Sequence, residues 1–161
     1  MDMPDRKQLK DLFEGLLGRD VTVGDAPEPL SPHVAPRPAC AVYVDDSGRL
    51  SAVALMDFAL AAHTGASLAL IPAGGAQAAI EDNLMPTNLM ENCAEVLNVL
   101  AAPLGDASGI HQRLERTYHP GEDLPPELAA VGATIGARDD VLVDIAGYGS
   151  GRLALVSVPD S

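Results

Sequence analysis

The chain has 161 residues, 47% of them hydrophobic, 20% charged and only 3% aromatic, with no Trp. That suits a single domain, 1–161, with an aliphatic core of Ala, Val, Leu and Ile. The formal net charge of −13 argues against a nucleic-acid or anionic-membrane partner, because both are bound through clustered Lys and Arg, and no apolar run reaches the roughly 20 residues that cross a bilayer.

The opening "MDMPDRKQLK" is polar and charged, unlike a secretory leader. Cys40 and Cys93 lie far apart with no C-x-x-C spacing. Both are expected to be small buried hydrophobes with reduced thiols, in a cytoplasmic protein. Leu9, Leu12, Phe13, Leu16 and Leu17 recur at helical spacing, so a helix is expected over Asp5 to Leu17, with Gly18 as its stop. "VTV" reads as a short strand. Gly24 to Pro38 holds five Pro and must be a surface loop. Ala39 to Val44 and Leu50 to Leu55 read as a hairpin about the "DDSG" turn.

Asp57 can cap a short helix that Gly65 would stop. Ser67 to Pro72, "SLALIP", reads as a strand, and "AGGAQAAIEDN" as a loop with one or two helical turns. Thr87 to Ala102 is the strongest helical pattern, with Pro86 suited to its first turn. His111 to Tyr118 reads as a strand with one polar face. A Pro- and Gly-bearing connection follows, with a few helical turns near Glu127. Val141 to Gly149 and Gly151 to Val158 form a second hairpin around "GSG". The irregular mix of hairpins and helices predicts an α+β fold, with helices on one face of a largely antiparallel sheet.

On a helical wheel, Leu89, Met90, Cys93, Val96, Leu97, Leu100 and Leu104 form a core stripe. The opposite stripe carries Asn88, Glu91, Asn92, Glu95, Asn98 and Ala102, with no Lys or Arg. Glu95 and Asn98 fall on adjacent turns of one face. A carboxylate accepts from a cation, and an amide both donates and accepts, so it can orient a water. Neither is a strong nucleophile. The pair suits assistance at a labile bond that another molecule supplies, and Ala102 would leave the neighbouring surface open. The blander reading is a solvated face. His33, His63, His111 and His119 lack metal-ligand spacing, so no metal site is expected. "GYGSG" lacks the Lys and helix of a phosphate loop, and no Ser has a G-x-S-x-G context.

The stretch from Ala41 to Leu104 resembles the CheC/CheX family of response-regulator phosphatases. The likeness lies in "VYVDDSGRLSAVALMDFALAAHTGASLALIP" followed by "LMENCAEVLNVLAAPL". Members carry an E-x-x-N signature on an equivalent long helix, matched here by Glu95 and Asn98. The resemblance implies a two-layer sandwich, a largely antiparallel sheet packed against long helices. It implies hydrolysis of the aspartyl phosphate of a receiver domain in chemotaxis or two-component signalling. Asn98 would orient the attacking water, and Glu95 would pair with the receiver's Lys. Asn88, Glu91, Asn92 and Ala102 would contact the partner. Mg²⁺ would sit on the receiver, and this chain would need no cofactor of its own. The sequence departs from the pattern after the motif: Ala101 and Ala102 stand where the family often has a Gly, and Pro103 follows. The N-terminal helix has Glu14 with Leu17 three residues on, so it offers no second E-x-x-N. Two alternatives share the fold: a module that binds a receiver or signalling protein without hydrolysis, and a homodimerisation domain that pairs through a sheet edge or helix face.

Overall fold

The structure is a computed structural model that describes residues 2–134 and 137–158. Helix α1 (Arg6–Leu17) opens on a capping box. The Asp5 side chain accepts from the Gln8 backbone N–H at 2.8 Å, and the Gln8 side chain accepts from the Asp5 N–H at 2.8 Å. Gly18 closes the helix in the left-handed conformation. Strand β1 (Val21–Asp25) and the Pro-rich loop follow. Strands β2 (Ala39–Val44) and β3 (Leu50–Met56) form the expected hairpin. The Asp45 carboxylate fixes their turn by accepting from the Ser47 and Arg49 N–H groups. Then come helices α2 (Phe58–Leu68), α3 (Ala73–Asp82), α4 (Thr87–Val99) and α5 (Ala101–Ser108). Strand β4 (Arg113–Tyr118), helix α6 (Pro126–Gly132) and strands β5 (Arg138–Ile145) and β6 (Gly149–Ser157) complete the order. Residues 135–136 of the connection before β5 lie outside the described residues.

The strands make one six-stranded sheet in the order β1-β5-β6-β3-β2-β4, with every pair antiparallel. The fold is α+β, as expected. Alternation along the strands sorts the core. Ala39, Ala41 and Tyr43 of β2, with Ala52, Ala54 and Met56 of β3, face α1, α2 and α4. The Ala side chains let the helices sit close to the sheet.

Several expectations are corrected. The second face of the sheet is not open: Cys40, Val42, Val53, Leu55 and Ala154 pack under Leu30 of the Pro-rich loop and Leu128 of α6. Gly65 does not stop α2 but lies inside it, where α4 passes too close for a Cβ. Ser67 to Pro72 is not a strand. Ser67 and Leu68 finish α2, and the chain then reverses through Leu70, which is left-handed at φ 57° and 74% exposed. The "AGGAQAAIEDN" stretch forms the full helix α3, which buries Ala76 and Ala79 against Phe58, Ala62 and Ala66 of α2. The second hairpin turns at Ala146–Tyr148, since Ile145 pairs with Gly149, and "GSG" belongs to β6. A Cβ on Gly149 would lie 2.7 Å from the His63 ring, and one on Gly151 would lie 2.5 Å from Leu60. These glycines admit α2 onto the sheet.

His63 itself is buried, and its Nδ1 has no hydrogen-bond partner. Burial lowers its pKa below the ordinary 6.5, while the Asp57 and Asp144 charges pull the other way. The unfolded chain therefore takes the proton more readily than the folded one. The stability held through this group is full above 6.5 and is lost as pH falls below that value. His63→Gln is expected to flatten the dependence of Tm on pH between about 7 and 5. An unchanged slope in thermal melts would assign that dependence to other groups.

Candidate functional site

Helix α4 carries the site face, and the sequence settles which side is wet. Leu89, Met90, Cys93, Val96 and Leu97 are all buried, as the wheel requires. Cys93 lies with its Sγ 3.4 Å from Met56 Sδ, and burial pushes the Cys93 and Cys40 thiols up to about 12. Neither is a nucleophile at neutral pH. Asn88, Glu91, Glu95, Asn98 and Ala102 are exposed. Asn92 is only half-exposed, and its Nδ2 donates to the Gly65 carbonyl at 3.1 Å, so it ties α4 to α2. Pro86 occupies the N-cap of α4 rather than its first turn.

Glu95 and Asn98 stand on adjacent turns of the exposed face. Among the described residues neither side chain has a hydrogen bond or ion pair within the chain. No Lys or Arg occurs between Arg49 and Arg113, while that span carries six carboxylates. The helix backbone beneath them is fastened to the sheet. Tyr43 of β2 is fully buried and donates its hydroxyl to the Leu97 carbonyl at 2.6 Å, immediately before Asn98.

The helix predicted over Thr87 to Ala102 is two helices. α4 ends at Val99, Leu100 forms the joint, and α5 starts at Ala101. Pro103 causes no loss there, because it falls in the first turn of α5, where its missing N–H would have no intrahelical role of its own. Ala102 therefore belongs to α5 and not to the helix that carries Glu95 and Asn98. Between the end of α4, α5 and the start of β4 lies a cavity of about 760 Å³, lined in part by Asn98, Val99, Ala102, Asp106, His111 and Arg113. Glu95 stands outside it. His111 Nδ1 lies 2.6 Å from Asp46 Oδ1, which ties the entry to β4 to the β2–β3 turn. Sequence reasoning missed Asp106, His111 and Arg113. They lie on separate elements, and no periodic pattern links them.

Among the described residues no group of three or more His, Cys, Asp or Glu side chains is placed to hold a metal ion, and no helix is long and apolar enough to cross a membrane. No family model and no curated protein matches the sequence. Solved structures do resemble the fold. The FliM middle domain from H. pylori aligns with a TM-score of 0.61 at 9% identity, over 94% of this chain and 84% of that one. FliY of Thermotoga maritima aligns at 0.56 and 15% identity, over 92% and 82%. The chemotaxis protein CheX from Desulfovibrio desulfuricans aligns at 0.53 and 8% identity, over 92% and 93%. Six antiparallel strands, the helical layer above them and these alignments together show that the chain has the fold shared by the FliM middle domain, FliY and CheX.

Proposed function

We propose that the chain docks a phosphorylated receiver domain and hydrolyses its aspartyl phosphate with the exposed face of α4. One observation carries the reading: Glu95 and Asn98 are exposed on adjacent turns of a helix anchored to the sheet, and neither is used inside the protein. In this mechanism the receiver supplies the acyl phosphate, its Mg²⁺ and a Lys. Glu95 accepts from that Lys and fixes the register of docking. The Asn98 carboxamide holds a water in line with the phosphorus. The water oxygen attacks, the P–O bond to the aspartyl oxygen breaks, and the receiver's carboxylate leaves with inorganic phosphate released. This chain contributes positioning. The fold it shares with CheX supports the reading.

The test is the dephosphorylation rate of receiver domains from the same genome with wild type, Glu95→Ala and Asn98→Ala. Wild type is expected to accelerate hydrolysis of one receiver. Either substitution is expected to remove on the order of 10²-fold or more of that gain. Stability should change by no more than about 0.5 kcal/mol, because both side chains are exposed. Unfolding by either substitution would make the residue structural and end the site assignment.

A second reading, docking without hydrolysis, is favoured by the break at Leu100, which follows Asn98 by two residues. It also suits the FliM chains of this fold that were solved in complexes with FliG and with SpeE. Binding to a receiver with no acceleration by wild type would select it.

A further inference from the structure

We infer that His111, held by Asp46 in the cavity beside Asn98, takes the proton from the water that Asn98 orients. The inference rests on the proposed hydrolysis at α4 and adds to its positioning a proton acceptor supplied by this chain.

Attack of water on the phosphorus sets a proton free, and the pair on α4 does not take it. A carboxamide has no basic atom at neutral pH, and Glu95 stands outside the cavity. Asp106, His111 and Arg113 are the three ionisable side chains that line the cavity with Asn98. Arg113 can only donate. Asp106, a carboxylate, would repel the phosphoryl oxygens. Gln112 is an amide, and its Nε2 already donates to Ser108 Oγ at 3.1 Å. That leaves His111, since a neutral imidazole can approach an anion and accept a proton beside it.

The geometry suits the role. His111 Nδ1 lies 2.6 Å from Asp46 Oδ1. A carboxylate only accepts, so Nδ1 carries the hydrogen and Nε2 presents its lone pair. Among the described residues Nε2 has no partner within the chain. Asp46 lies in the turn that the Asp45 carboxylate braces through the Ser47 and Arg49 N–H groups. The backbone on the other side is fastened as well, because the Ile110 N–H and Gln112 Nε2 both donate to Ser108 Oγ. The His111 and Asp46 side chains are 72% and 77% exposed, so their pairing contributes little to the fold. Its use is to hold the ring in one tautomer and to offset the charge of the imidazolium once the proton has arrived.

In the step, a lone pair of the water forms the new O–P bond. The P–O bond to the aspartyl oxygen breaks, and its electron pair leaves on the receiver's carboxylate. An O–H proton passes to His111 Nε2, directly or through one water. The products are the carboxylate, hydrogen phosphate and an imidazolium, which returns its proton to solvent when the receiver leaves.

The experiment compares wild type, His111→Ala and Asn98→Ala for single-turnover dephosphorylation of receiver domains from the same genome, and for binding to their beryllofluoride-trapped forms. His111 is exposed, so its variant should fold. His111→Ala is expected to lose on the order of 10²-fold of the acceleration while binding the trapped receiver as wild type does. Free imidazole should return part of the rate to His111→Ala, measured over the receiver alone in the same buffer, and none to Asn98→Ala. If His111→Ala hydrolyses at the wild-type rate while Asn98→Ala is inactive, the hydrolysis reading stands and the proton acceptor is overturned. A loss that imidazole does not restore makes His111 a structural or contact residue and overturns it as well. If wild type accelerates no receiver, the hydrolysis reading fails, and this inference fails with it.

Discussion

Gly65→Ala is expected to destabilise the protein by roughly 3 kcal/mol or more, near the upper range of overpacking substitutions. Helix propensity alone predicts the opposite sign, since Ala is favoured over Gly in a helix interior by about 1 kcal/mol. The contact decides between them. A Cβ on Gly65 would lie 2.1 Å from the Leu89 carbonyl oxygen and 2.8 Å from its carbon, both backbone atoms that cannot rotate away. Helices α2 and α4 would have to part. The Asn92 to Gly65 hydrogen bond would go with the contact. At this size the melting temperature should fall by roughly 6–12 °C. Thermal denaturation checks it, and a rise in Tm would show that the helices are not in contact there. Because α4 is the element displaced, the receiver binding proposed for it should weaken in the same variant even at temperatures where it stays folded.

Arg138→Ala is expected to cost about 3–5 kcal/mol, the range for stranding one member of a buried ion pair. The Arg138 guanidinium grips Asp140 with two bonds of 2.7 and 2.9 Å, and both side chains are largely buried. It also donates to the carbonyls of Gly132, Thr134 and Leu30. Asp140 in turn accepts from the Leu30 N–H. One side chain thus joins the end of α6, the Pro-rich loop and β5, the parts that cover the second face of the sheet. Removal leaves a buried carboxylate and three carbonyls without their donor. Arg138→Lys should not restore the loss, since an ammonium cannot reproduce the planar fork. Urea denaturation measures both, and a Lys variant as stable as wild type would refute the account.

The contrast between these two sites shows what the sequence could and could not convey. Local rules located α1, with its Asp5 and Gly18 ends, and the β2–β3 hairpin about Asp45, because each is decided by neighbours in sequence. The α4 stripe was legible for the same reason, and with it the exposure of Glu95 and Asn98. Gly65, Gly149 and Gly151 misled because a glycine that makes room for a neighbouring element looks, in sequence, like one that ends or turns a segment. The "SLALIP" run failed because an apolar stretch reads alike as a strand or as the buried end of a helix. The break between α4 and α5 at Leu100 was hidden because the core stripe continues through Leu104 on both sides of it. The Arg138 network and the cavity beside Asn98 had no local signal at all, since each joins residues remote in the chain.

The hydroxyl of Tyr43 has a consequence for how the surface meets a partner. Its buried bond to the Leu97 carbonyl fastens α4 to β2 one residue before Asn98, and burial holds its pKa well above the ordinary range, so it remains a donor. On its outer edge β2 pairs with β4, whose first residues line the cavity. Asn98 and the cavity are therefore both referenced to a single strand. Sliding one against the other would break a buried hydrogen bond or the β2–β4 ladder. On the proposed docking role, a partner would meet a surface ordered before it arrives, and little of the association energy would be spent on ordering it.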